Sequence, residues 1–462
     1  MIPSLAIVSG SMLGIGIFLA PTTMSLHISS HTMFFAVWIF TGLIALAGAM
    51  SYAELGTLMP HSGGDYIFHR EALGPSIAFA YGWSLLAAGF AGSIAAMSVP
   101  LCTFQFAMLT DLPMSDVAFQ LPLVGGVLWS QCAAILLIIV MTIINIYGVK
   151  LSGILQAITT YVPILLLAGL SLYVLTHPQL EAIHSSTTTN SSPPLPAAGW
   201  SYSGLITAFL EAYFAYSGWN AIIYAAGEVK NPHYTLPRAL IGGTCIVMCL
   251  YLLFCIATLD LLNFKDLQHL AHNKQDIGSA MAMAIDQSDG GYVLTLVISM
   301  ITVALLASIN ATILGGARVA LALAKDGCFW KPAQYLHPRW NTPRHALWAQ
   351  AVMSIIIVVL IPWHLIFSLV SLVMVIGGSL TVYALYVLRR VMPDIERPYK
   401  VMGYPYFPAL FILSSVVVVV VKFYDALTGV ADAWYPIWTL LFAAFIYFMH
   451  RYWIRKQQAQ SE

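Results

Sequence analysis

The stretch "VSGSMLGIGIFLAP", Val8 to Pro21, sets Gly10, Gly14 and Gly16 inside an otherwise apolar run near the start of the chain. Each glycine weakens a helix by about 1 kcal/mol relative to alanine. A run that reads as a membrane crossing is therefore weak at mid-depth. The rest of the sequence has to supply the reason.

Of 462 residues, 60% are hydrophobic and 8% charged, against about 25% charged in soluble domains. Apolar runs of about 20 residues, the length a helix needs to cross the hydrocarbon core, recur along the chain. The sequence thus describes an all-α integral membrane protein surrounded by membrane lipid. The net charge of zero says nothing about a nucleic-acid partner, but no basic cluster suggests one, so none is expected. Residues 2–25 have no basic n-region and no small-x-small cleavage site, so they read as a retained first helix rather than a signal peptide. That helix starts almost at the membrane surface, which leaves room for a longer native N-terminus. The six cysteines contain no C-x-x-C pair and suggest no disulfide framework. Cys245 and Cys249 read as small packed residues on one helix face.

Apolar segments between Gly, Pro and charge breaks predict twelve spans. They lie near 2–25, 32–57, 75–109, 125–147, 152–176, 203–227, 237–262, 291–323, 345–361, 364–390, 407–424 and 434–453. Threading the chain through these spans puts sixteen of the nineteen Lys and Arg residues on the side of the amino terminus. Lys265, Lys274 and Lys422 fall on the other. Positive charge stays cytoplasmic, so both termini are expected inside, in a cell inner or plasma membrane. The outer loop, residues 177–202, is rich in Ser, Thr and Pro and is expected to be extended and mobile. It separates a first set of five spans (1–176) from a second (203–390), with residues 391–462 forming two peripheral helices and a cytoplasmic tail.

The first helix of each set is interrupted: the first by its glycines, the sixth at "FAYSGWN", Phe214 to Asn220. Paired interruptions of this kind point to an inverted-repeat transporter with a midplane site. Unwound backbone in lipid leaves N–H and C=O groups unpaired at several kcal/mol each, and a substrate can satisfy them. The second half of helix 1 would begin with free N–H groups and a positive dipole end, suited to a carboxylate. The free carbonyls of the first half of helix 6 suit an ammonium. Together the two breaks fit an amino acid zwitterion. The same glycines would also serve close helix packing.

These segments resemble the amino acid–polyamine–organocation family. "GSMLGIGIF" is similar to its helix 1 signature, "SYAELGTLMPHSGGDYIF" to helix 2 and the first inner loop, and "FAYSGWNAIIYAAGEVKNPHYTLPRAL" to helix 6 of the L-type amino acid transporter branch. "INATILGGARVALALAKDG" and "LRRVMPDIERPYKVMGYP" match later landmarks. The resemblance covers nearly the whole chain. It implies the leucine-transporter fold: helices 1–5 and 6–10 as a 5+5 inverted repeat, broken helices 1 and 6, and two peripheral helices.

By position it implies that the amides of Gly14, Ile15 and Gly16, with Ser11 nearby, take the substrate carboxylate. Carbonyls around Phe214, Ala215 and Ser217 take the ammonium, and Phe214 forms an aromatic lid. Asn220 falls where the L-type branch has an asparagine and the arginine/agmatine exchanger branch a glutamate, which implies neutral substrates. Ser217 stands where the L-type branch usually has glycine, favouring small or medium aliphatic side chains. In many relatives a helix 5 lysine and a helix 8 serine stand in for a sodium ion. Pro163 and Ala304 occupy those positions here, which puts cation coupling by that route in doubt.

Glu211, a turn before Phe214, is the acid deepest in a predicted span, a candidate for proton coupling or an outer gate. A structural carboxyl near the helix end is the alternative. Glu54, Glu228 and Arg318 sit near the cytoplasmic ends, as inner-gate ion pairs or solvated helix ends. His27 and His31 are four apart, but no His-Glu-x-x-His motif or third ligand accompanies them, so no metal or other cofactor is expected. No partner subunit is indicated. A secondary carrier of neutral L-amino acids is the expected function. A polyamine or cationic amino acid antiporter is the alternative within the family. An intramembrane enzyme is the alternative outside it, although no nucleophile–base pair, paired carboxylates or metal triad is visible.

Overall fold

The structure, a computed structural model, describes residues 1–28, 30–110, 112–121, 125–147, 149–177, 201–272, 278, 281, 285, 292–361, 363–429 and 441–450. The outer-loop expectation therefore falls almost wholly outside the described residues, as do both edges of the last predicted span.

The first predicted span is two helices, α1 (Ile2–Met12) and α2 (Gly16–Ser25). After them come α3 (His31–Leu58), α4 (Asp65–Leu73) and α5 (Pro75–Thr110). A hairpin of β1 (Val117–Leu121) and β2 (Gly125–Leu128) precedes α6 (Trp129–Tyr147) and α7 (Val149–Thr176). The second half contains α8 (Tyr202–Tyr216), the single turn α9 (Ala221–Tyr224), α10 (Pro232–Leu261), α11 (Phe264–His272) and α12 (Tyr292–Lys325). It closes with α13 (Arg344–Leu360), α14 (Trp363–Val391), α15 (Tyr406–Leu427) and α16 (Leu441–His450). Among the described residues, nine helices are long and apolar enough to cross a membrane. The shorter α8, α13 and α16 fall at the other three predicted spans, to within a residue at their starts for α8 and α13. The chain is a multi-pass, helical membrane protein.

Three local features differ from the sequence reading. The predicted fourth span begins too early, because residues 125–128 are a strand paired antiparallel with β1. Two successive glycines, with Gly125 at φ +92°, disfavour a helix there. The short helices α4 and α11 fall between predicted spans, too polar for a hydropathy window to find. α11 starts with a reciprocal cap: Asn263 Oδ1 accepts from the Asp266 amide, and Asp266 Oδ2 accepts from the Asn263 amide. Gln268 then donates to the Ser25 carbonyl, tying α11 over the end of α2.

The centre of the molecule is formed by α1, α2, α8 and α9, enclosed by α3, α5, α10 and α12. α10 runs along α3 and α1, α12 along α7 and α1, and α8 packs on α2. A continuous apolar core fills the spaces between them, with Trp38, Tyr52, Tyr216, Tyr251 and Phe254 fully buried.

At the Lys/Arg-rich end, fully buried Glu54 on α3 accepts from Arg389 Nε at 2.9 Å and Nη2 at 2.6 Å. It also accepts from the Val401 amide at 2.8 Å and lies 3.3 Å from Arg397 Nε. One carboxylate thus joins α3, α14 and the segment leading to α15, as an ion-paired group and not a solvated helix end. Removing one partner of such a buried cluster leaves charge uncompensated, at about 3–5 kcal/mol. Glu54→Gln is therefore expected to lower the thermal unfolding midpoint in detergent by several degrees, whereas Glu71→Gln, on the exposed face of α4, leaves it unchanged.

Candidate functional site

α1 stops at Met12, and α2 restarts at Gly16 after Leu13 turns out of helical geometry at ψ +81°. The opening N–H groups of α2 have no preceding turn to bond. α8 stops at Tyr216, with Ser217 extended and Gly218 at φ +98°, before α9 begins at Ala221. The two interruptions touch. The Ser11 hydroxyl lies 2.7 Å from the Gly218 carbonyl and 2.9 Å from that of Val8. A Cβ on Gly218 would sit 2.4 Å from the Ser11 carbonyl oxygen, and one on Gly16 would sit 2.5 Å from Ala215 Cα. The Met12 carbonyl accepts from the Gly14 amide at 2.8 Å and from the Tyr251 hydroxyl at 2.7 Å, and the Ser308 hydroxyl reaches the Ser11 carbonyl at 3.3 Å.

A cavity of about 90 Å³ lies against both interruptions. Its walls include Ser11, Gly14, Ile15, Gly16, Phe214, Ala215, Ser217 and Asn220, which brings together every residue the sequence reading assigned to substrate. Some of their polar atoms are already engaged. The Phe214 carbonyl accepts from both the amide and the hydroxyl of Ser217, at 3.0 and 2.6 Å. The carbonyls of Ala215 and Ser217 are the better-placed acceptors for an ammonium. The opposite wall comes from α5, whose π-helical turn Leu85–Phe90 contributes Leu85, Gly89 and Phe90. Such turns are frequent at functional sites.

The other expected residues lie elsewhere. Glu211 faces the Thr23 hydroxyl and the Lys422 ammonium, and is not part of the cavity wall. Pro163 and Ala304 are buried on α7 and α12; Ser308, one turn beyond Ala304, is the α12 hydroxyl that meets the first interruption. Glu228 pairs bidentately with Arg318, Nε to Oε1 at 2.7 Å and Nη2 to Oε2 at 2.8 Å. This pair lines a second cavity of about 360 Å³, which shares Ala221 and Ala311 with the first. Among the described residues, no group of three His, Cys, Asp or Glu side chains is placed to hold a metal ion.

Asp65 was missed. It opens α4, is 1% exposed, and is the only charged side chain among the described residues of the first cavity's wall. Its Oδ2 accepts from Tyr224 at 2.7 Å and, more weakly, from Tyr81 at 3.4 Å. Asn220 Nδ2 donates in turn to the Tyr224 oxygen at 3.1 Å. Burial pushes the Asp65 carboxyl up to about 6, against the lowering effect of the surrounding hydroxyls. The signal was present in "SGGDYIF", where an acid follows two glycines just past an apolar span, but hydropathy assigned it to a loop.

A family model described as amino acid permease matches residues 2–449. The chain is 26% identical to the serine/threonine exchanger SteT of Bacillus subtilis (strain 168) over 415 residues, 89% of this chain and 88% of the relative. It is 24% identical to the b(0,+)-type amino acid transporter 1 of Homo sapiens over 424 residues, 91% and 81% of the two chains. It is 26% identical to the branched-chain amino acid permease BcaP of Lactococcus lactis subsp. cremoris (strain MG1363) over 427 residues, 90% and 87% of the two.

The glycines of the first interruption have separable roles. A Cβ on Gly14 meets only Ser308 Oγ, at an ordinary 3.6 Å, whereas one on Gly16 drives into the α8 backbone. Gly16→Ala is therefore expected to destabilise the protein by about 1–3 kcal/mol through overpacking, read as a lower unfolding temperature. Gly14→Val should leave that temperature within a degree or two of wild type while abolishing substrate-induced stabilisation.

Proposed function

The chain belongs to the amino acid permease family, and on that premise we propose that it carries neutral L-amino acids by alternating access. The observation that carries this reading is that two helix interruptions face one another across a single cavity. One presents helix-opening N–H groups and the other free carbonyls, complementary to the carboxylate and ammonium of a zwitterion. In this reading the amides of Ile15 and Gly16 receive the carboxylate, which Gly14, its own amide bonded to Met12, leaves room to approach. Ala215 and Ser217 take the ammonium, and Phe214 covers the bound solute. Asn220, whose carbonyl oxygen borders the same part of the cavity, also takes the ammonium. Ser11, bonded across to Gly218, holds the two interruptions in register.

The proposal extends to architecture. Twelve spans in a leucine-transporter fold place residues 1–176 and 203–390 as inverted repeats that rock around the site, with residues 391–462 at the periphery. The Lys/Arg asymmetry supports both termini on the cytoplasmic side of a plasma membrane. The second cavity then opens the inner route, with Glu228–Arg318 as its gate. The names of SteT and BcaP, for serine/threonine and branched-chain substrates, support the neutral class and the lean towards small or medium side chains. The relatives' transporter, exchanger and permease names are the reason to set the enzyme reading aside. Asp65 in the cavity wall is the one feature favouring a cationic substrate, and competition decides between the two.

Purified protein in proteoliposomes, loaded with unlabelled neutral amino acids, is expected to give saturable counterflow of labelled alanine, serine, threonine, methionine or valine. Because Pro163 and Ala304 stand at the cation positions, replacing sodium should leave the rate unchanged. Competition by cationic amino acids or polyamines alone would overturn the neutral assignment.

A further inference from the structure

We propose that Asp65 is a proton-binding site whose occupancy is read in the substrate cavity through the hydrogen-bonded chain Asp65–Tyr224–Asn220. The inference rests on the transport reading above and adds the group that makes substrate binding sensitive to a proton. It starts from an unpaired acid. Asp65 Oδ1 is buried with no hydrogen-bond partner, and the carboxyl makes no ion pair among the described residues.

Every titratable neighbour is neutral. Tyr52 faces the carboxyl from α3, Tyr81 from α5, Tyr213 from α8 and Tyr224 from α9, with the Thr381 hydroxyl from α14. On α4 itself, His69 is fully buried against Thr381 and held uncharged well below neutral pH, at about 3, by that burial. Arg70 on α4 is paired with both Glu71 and Asp326, the latter just past α12, with Tyr66 also bonded to Asp326, so none of these charges is turned to Asp65. An ionised carboxylate in such surroundings lacks a counter-charge, which favours the protonated form. Burial accordingly puts its titration near 6.

The chain of bonds converts that proton into a change at the cavity wall. Ionised Asp65 can only accept, so the single phenolic proton of Tyr224 goes to Oδ2. The Tyr224 oxygen then accepts from Asn220, which fixes Nδ2 towards the tyrosine. The Asn220 carbonyl oxygen has no partner among the described residues and is left for a donor on the solute. When Asp65 takes up one proton, its O–H can donate to Tyr224, and Tyr224 to Asn220. The carboxamide turns over and offers Nδ2 instead. One carboxyl O–H bond forms with the incoming proton, and the two hydrogen bonds of the chain reverse direction. A substrate held at Asn220 through an ammonium or hydroxyl donor is weakened by the proton, and by linkage its binding expels the proton.

The test uses counterflow at equal pH on both faces, with whichever neutral amino acid of the panel above the wild type carries. Loss of one such bond is worth about tenfold. The wild-type KM is expected to rise about tenfold between about pH 8 and pH 5, spanning the titration. D65N, a fixed neutral donor, should give a KM independent of pH and close to the low-pH wild-type value. Y224F should also flatten the profile, and carries the test should D65N not fold. Infrared difference spectra in detergent should show a protonated-carboxyl band appearing over the same pH range. The band should persist in Y224F and vanish in D65N. Full pH dependence in D65N or Y224F would overturn the proposal, as would a missing carboxyl band. Competition by cationic amino acids that disappears in D65N would overturn it too, assigning the carboxylate to substrate. Absence of any carried amino acid would count against the transport reading alone, since the infrared titration needs no substrate.

Discussion

The contact between Ser11 and Gly218 is the one on which the rest of the structure depends. Two helices stop inside an apolar molecule, and each stop leaves backbone groups that lipid cannot satisfy. Part of the solution is mutual: the Ser11 hydroxyl reaches the Gly218 carbonyl, and Gly16 lies flat against Ala215. Neighbours supply another part, with Tyr251 on the Met12 carbonyl and Ser308 on that of Ser11. What remains borders a small cavity. The polar groups of the site are thus largely main chain, and their cost is offset by helices that must stay in place around them.

Those helices are pinned away from the centre. Glu54 ties α3 to α14 through Arg389 and to the following segment through Arg397 and the Val401 amide. Arg318 on α12 holds Glu228 just past α9. The two clusters differ in kind. Glu54 is sealed from solvent, whereas the Glu228 side chain is half exposed at 52% and borders the second cavity. A sealed pair fixes a frame; an accessible one can be exchanged for water. Asp65 belongs to neither class, being buried, uncompensated and hydrogen-bonded only to neutral hydroxyls.

Much of this was legible in the sequence because lipid constrains sequence harshly. Twenty-residue apolar runs have few structural outcomes, and glycines within Val8–Pro21 or Phe214–Asn220 stand out against them. The residues assigned to substrate therefore share one cavity wall. Where the environment is less uniform, the reading failed. α4 and α11 are short and polar, and their helical start depends on caps and glycine turns rather than on hydropathy. The strand β2 was absorbed into the fourth span because hydropathy does not register Gly125 and Gly126 as backbone that resists a helix.

The sequence by itself determined that the chain crosses a membrane as helices, and where two of them cannot continue, because both follow from the cost of backbone and charge in lipid. It could not determine which groups those stops would meet. Ser11 finds Gly218 across 207 residues, and Asp65 finds Tyr224 across 159. Only the packed fold brings such distant groups within bonding distance. Only there does a loop aspartate become a buried acid in the wall of the cavity, since its solvation is set by its neighbours in space and not by its neighbours in the chain.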